Sequence, residues 1–132
     1  TIINNGHNTN GNLNYNVNVD NATITSPQNE VFTWSTSRNH EWIEGESTIL
    51  NPYDDVYLIR GSANGVTSEQ TPYTISIDNP LNILVGCRWV RSGSLIIQIT
   101  DNPDFYVDYG NGDCDANASV TVNGTTYPFI MN

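Results

Sequence analysis

The chain has 132 residues, formal net charge −10 and only four cations, against fourteen Asp and Glu. Lysine is absent, and Arg38, Arg60, Arg88 and Arg91 are scattered. A nucleic-acid footprint needs clustered Lys and Arg to neutralise phosphates, and polybasic attachment to an anionic membrane needs the same, so neither partner fits. No apolar run reaches the length that spans a bilayer as a helix, since Ile83-Leu84-Val85 and Leu95-Ile96-Ile97 are only strand-sized.

Taken in chain order, the elements all read as strands. Asn occupies every second position from Asn8 to Asn18, and from Leu13 the residues between turn apolar: Leu13, Tyr15, Val17, Val19. Successive side chains of a strand point to opposite faces, so this comb predicts one amide face and one apolar face. Strands follow over Leu13 to Val19, Ala22 to Ser26, Val31 to Ser37, Glu41 to Glu44, Val56 to Arg60 and Tyr73 to Asp78. Asn82 to Trp89, Ser94 to Thr100, Phe105 to Tyr109, Ser119 to Val122 and Thr125 to Ile130 complete the set.

Turn signals separate them, among them Asp20-Asn21, Asn64-Gly65, Asn79-Pro80, Ser92-Gly93, Asn111-Gly112 and Asn123-Gly124. Asn123-Gly124 is the strongest hairpin signal, because a type I′ turn needs positive φ at both central residues. Pro128 then marks the last strand as an edge or a bulge. No stretch keeps a helical period over three turns. The expected fold is all-β, an antiparallel β-sandwich or a long twisted meander with one disulfide. Residues 21–132 read as a single β domain. Residues 1–20 read as an Asn-rich strand or extension that two subunits could exchange.

Cys87 and Cys114 are the only cysteines, and two make one bridge. Metal binding by the pair lacks a CxxC spacing or clustered His. A bridge points to an oxidising compartment, and a chain starting at Thr1 suits a mature product after export as well as a trimmed chain. The expected location is extracellular or at the cell surface.

The last third carries a pattern: Cys87-Arg88-Trp89, Ser92-Gly93 and an apolar strand, Asp108-Tyr109-Gly110-Asn111-Gly112-Asp113-Cys114-Asp115, then Val120-Thr121-Val122-Asn123-Gly124. Glu41-Trp42-Ile43-Glu44-Gly45, Asp54-Asp55-Val56-Tyr57 and Pro80-Leu81 add to it. Over residues 31–132 the chain resembles a group of secreted or lipid-anchored β-rich surface proteins of Bacteroidetes. It differs from the lipid-anchored members in having no cysteine at its start. The resemblance implies an exported surface protein with a Cys87–Cys114 bridge, and it brings no catalytic motif.

Three further patterns name candidate residues. Asp113, Asp115 and Asn117 have the spacing of the first ligands of a calcium loop, but Ala118 and Gly124 stand where that loop needs Gly and Glu, so no cofactor is expected beyond this weak calcium candidate. Glu44 and Glu46 would lie roughly 7 Å apart on one face if their strand ran through Gly45, a spacing open to an inverting glycosidase. Trp34, Trp42 and Trp89 could form a platform for glycan rings, although large aromatics within strands usually pack inward.

The leading expectation is a non-enzymatic structural or adhesive surface protein that self-associates into an oligomer or filament by terminal strand addition. Leu13, Tyr15, Val17 and Val19 would be the apolar anchors at the subunit interface, beside Asn14, Asn16 and Asn18. Edge strands are normally guarded by lysine, and this chain has none. A glycan-binding module is the rival, and a carboxylate-based glycoside hydrolase the distant one.

Overall fold

The computed structural model describes residues 1–132, and it is one antiparallel sheet of nine strands in the order of the chain. The strands are β1 (Ile2–His7), β2 (Leu13–Thr25), β3 (Val31–Glu44), β4 (Val56–Val66), β5 (Pro72–Leu84), β6 (Ser92–Ile99), β7 (Phe105–Asn111), β8 (Asn117–Val122) and β9 (Thr125–Ile130). A single 3₁₀ turn, Pro52–Asp54, precedes β4. Each strand pairs with its neighbours in sequence, and β1 and β9 form the two open edges. Of the two expected architectures the chain adopts the meander, with no second sheet against it.

The strands run longer than the sequence reading, because several turn signals mark bulges inside them. Asp20-Asn21 lies in a register shift of β2 against β3, with Asn21 at φ 51. Asn79-Pro80 sits within β5, in its irregular pairing with β4 and β6. Asn64-Gly65 continues β4 directly opposite Tyr73 and Thr74. A bulge, like a turn, takes a residue that tolerates positive φ, as Asn21 does, whereas Gly65 answers the close approach of the Thr33 carbonyl and the Tyr73 ring. The β1 strand is an addition, pairing with β2 through Ile2↔Val17, Ile3↔Asn16 and Asn4↔Tyr15.

One predicted hairpin is corrected. Ser92-Gly93 is not a turn: the reversal spans residues 85–91, and β6 begins at Ser92. Gly93 has φ 109, and a Cβ there would collide with the carbonyl of Pro80, so the glycine answers a close approach of β5. Trp89 consequently lies in the loop, not in a strand.

Other readings hold. Asn123 and Gly124 have φ 50 and 77, and they join β8 to β9 with Val122 opposite Thr125. Pro128 falls on the edge strand, where its missing N–H breaks no inner ladder. A Cβ on Gly124 would meet open space, so only the dihedral resists substitution. Gly124→Val is therefore expected to cost about 1–2 kcal/mol, read as a lower urea midpoint with an unchanged m-value. An unchanged midpoint would mean that the turn contributes nothing.

Cross-strand register assigns every strand residue to a face. Leu13↔Trp42↔Tyr57↔Ile83 is one row, and Ala63↔Ile75↔Ile97↔Phe105 is another on the same side. The opposite side carries Asn18↔Ser37↔Ser62↔Ser76. So the sheet has one largely apolar face and one mainly polar face, the latter also carrying Leu58, Ile96 and Tyr106. With nothing laid over the apolar face, no Trp, Tyr, Phe, Ile or Leu in the chain is buried. The buried apolar residues are only Val56, Ala63, Cys87, Val107 and Ala118.

Candidate functional site

Three surfaces have distinct chemistry: the polar face with its amide network, the apolar face, and the two open edges. On the polar face the Asn comb closes on Glu41. Nδ2 of Asn8 and of Asn12 donate to Glu41 Oε1 at 2.8 and 2.9 Å, and Arg60 Nη1 donates to Oε2 at 2.8 Å. Asn39 Nδ2 donates to Oδ1 of Asn14 and of Asn16, and Asn14 Nδ2 donates to the Gly6 carbonyl. Asn8 Oδ1 also accepts the N–H groups of Asn10 and Asn12, shaping the β1–β2 turn. Asn8 and Asn10 thus lie in a turn, and the strand begins at Leu13.

Glu41 is 6% exposed, and the amides of Asn12 and Asn8, followed by Arg60, hold its carboxyl at about 2 against its burial. A buried carboxylate with three donors is satisfied, so the network fixes β1, β2, β3 and β4 to one another. Sequence reasoning missed it, because Glu41 lies far along the chain from the amides that hold it. Asn18 stands apart. Its Oδ1 is buried without a partner at an open groove of about 390 Å³ lined by Asp20, Ser35, Ser37, Ser62 and Asn64 among others.

Leu13, Tyr15, Val17 and Val19 come together on the apolar face, where β2 pairs along its length with β3 of the same chain. Trp42 stacks on Tyr57 with centroids 5.8 Å apart and planes 20° from parallel. Burial, with Asp55 and Tyr15 nearby, raises the Tyr57 phenol above its usual range. Arg38 and His40 stand on this face, as does His7 opposite Leu13, and burial together with Arg38 lowers the His40 pKa. The carboxylates within strands, Asp20, Glu41, Glu44, Asp78 and Asp108, fall on the polar face or in its bulges.

The three Trp do not gather. Trp34 and Trp42 lie eight residues apart on β3, and Trp89 is in the β5–β6 loop. All three are half-buried, and the indole N–H groups of Trp42 and Trp89 are buried without partners. Stacking occupies one ring face of Trp42, whereas a sugar platform presents that face outward.

The strand carrying Glu44 stops there, with Gly45 at φ 97, so Glu44 and Glu46 do not share a continuing strand face. Glu46 Oε1 instead lies 2.8 Å from His7 Nε2. Asp113 and Asp115 flank Cys114 in the β7–β8 loop, and Asp115 Oδ1 accepts the N–H of Asn117, the first residue of β8, at 2.8 Å. No three His, Cys, Asp or Glu residues are grouped to hold a metal ion. Cys87 and Cys114 form the expected disulfide, with Cα atoms 5.9 Å apart.

The edges are chemically alike. β1 reads Ile-Ile-Asn-Asn-Gly-His and β9 reads Thr-Thr-Tyr-Pro-Phe-Ile, and neither contains Lys, Arg, Asp or Glu. Ile2, Ile3, Tyr127, Phe129 and Ile130 are exposed there. The class is thus an all-β, disulfide-linked single antiparallel sheet with unguarded edges, and no helix in it is long and apolar enough to cross a membrane. No family model, curated protein or solved structure matches the chain.

Proposed function

We propose that the protein is a non-enzymatic, extracellular structural or adhesive surface component whose copies join through their terminal strands. The observation that carries this reading is the pair of uncharged open edges. An edge strand offers a row of unpaired N–H and C=O groups, and proteins that stay apart blunt such rows with charge. Here β1 and β9 leave the row bare except for Pro128 and the irregularity after Asn4. Main-chain bonds then supply affinity and alternate side chains supply register.

The disulfide supports export, and the resemblance to Bacteroidetes surface proteins points the same way. Nine antiparallel strands leave the two edges parallel to each other. Copies related by translation would join β9 to β1 as a parallel pair in an open filament, whereas a two-fold would pair β1 with β1 and leave β9 free at both outer edges.

Lysine in place of Ile3 on one edge and of Phe129 on the other tests the reading. Deleting β1 would not, because it merely exposes β2 as a new edge. Assembly by the native chain, seen by light scattering and negative-stain microscopy and abolished in the double variant, is the expected result. Unchanged assembly, or a native chain that never assembles, overturns it.

A further inference from the structure

The apolar face poses a separate problem from the edges. Sheets that are apolar on one side bury that side against a second layer, and this chain contains no element to supply one. The accessible surface is 8234 Å², whereas size scaling gives about 6,900 Å² for a folded monomer of this mass. The excess, about 1,300 Å², lies in the range that each subunit of an obligate dimer buries, roughly 1,000–2,500 Å² per partner.

Charge placement agrees with burial. The chain carries net charge −10, yet its strand carboxylates avoid the apolar side. The centre of that side is Ile75↔Ile97↔Phe105 beside Ile77↔Leu95↔Val107, six apolar residues on three adjacent strands with no ionisable group among them. Two such centres meet without bringing like charges together, and the basic side chains Arg38 and His40 lie outside them on β3.

We infer that the apolar face of the sheet is covered by the same face of a second copy, making a two-layer sandwich across a two-fold axis. A uniform, self-complementary face is what an isologous contact requires, and twisted sheets pack this way with their strands roughly 30° apart. The aromatic rows, including Trp42 and Tyr57, then lie between the layers. This contact is independent of the terminal strands, which stay free at the rims of both sheets.

Sedimentation over a dilution series, with carbene footprinting of the native chain at each end of the series, tests the inference. The expected species at high concentration has twice the 14.6 kDa chain mass, with Ile75, Leu95 and Ile97 labelled several-fold less than on dilution. Ile97→Asp should yield monomer, while Ser76→Asp on the polar face should leave the dimer intact. The edge double variant should lose filaments yet keep the dimer, which separates failure of edge pairing from failure of face pairing. If Ile97→Asp does not fold, the footprint of the native chain still decides. A native chain that remains at 14.6 kDa with both faces labelled equally overturns the inference. Protection confined to β1 and β9, or protection of the apolar face only on added phosphatidylcholine vesicles, overturns it as well.

Discussion

Replacing Cys87 and Cys114 together by serine should lower the unfolding free energy by about 3.5 kcal/mol, the loop-closure value for the 27-residue separation of the bridge. Folded domains hold only about 5–15 kcal/mol in total, so this is a large share of any of them. The bridge is the only covalent cross-link in the chain. Every main-chain ladder joins sequence neighbours, while the bridge links the loop after β5 to the loop before β8 and so spans β6 and β7. Urea unfolding with and without reductant measures the effect. An identical midpoint under both conditions would show that the two loops are already fixed without the bond.

The second large effect lies at Glu41. Glu41→Ala removes the acceptor shared by Asn8, Asn12 and Arg60, and it is expected to destabilise by about 3 kcal/mol, as when one member of a buried ion pair is lost. Titration gives an independent reading. Folding depresses the Glu41 pKa from 4.5 to about 2, because the amides of Asn12 and Asn8 and then Arg60 favour the carboxylate. The stabilisation is complete above about pH 4.5 and declines as pH falls through about 2. Arg60 is 46% exposed, so solvent screening reduces the linked contribution to about 2 kcal/mol. Native stability should therefore fall between pH 4.5 and 2 more steeply than that of the Glu41→Gln variant. Parallel pH profiles for the two proteins would remove Glu41 from the account.

How much of this was legible in the chain follows from which physics is local. Alternation in β2, the Asn123-Gly124 turn and Pro128 at an edge depend on residues within a few positions of one another, and all could be read. Asp20-Asn21 and Ser92-Gly93 do not break a strand, since the positive φ of Asn21 and Gly93 serves a bulge or a close approach as well as a turn, and Asn79-Pro80 is likewise absorbed as an irregularity within β5. Ile2-Ile3 followed by Asn4-Asn5-Gly6 shows no alternation, so β1 is visible only through its pairing with Val17, Asn16 and Tyr15.

The choice between sandwich and meander was equally hidden. Leu13, Tyr15, Val17 and Val19 show the same alternation whether their cover comes from the same chain, from another chain or from nowhere. Alternation assigns the amides of Asn8 and Asn12 to one face, and it does not reveal the single carboxylate on which they converge. That pairing depends on the register of β2 against β3, in which Asn14 lies opposite Glu41, and register is a property of two strands together.

The positions of the two ends have a mechanical consequence. Thr1 precedes one outer strand and Asn132 follows the other, so tension between them pulls the sheet apart sideways. The ladders then open by single hydrogen-bonded pairs in succession, from the rims inward, instead of many sharing the load at once. The covalent link between Cys87 and Cys114 stops this peeling midway, keeping residues 88–113, roughly 90 Å of extended chain, out of the stretched length. A chain built this way yields early under small forces and lengthens while its central loop stays closed.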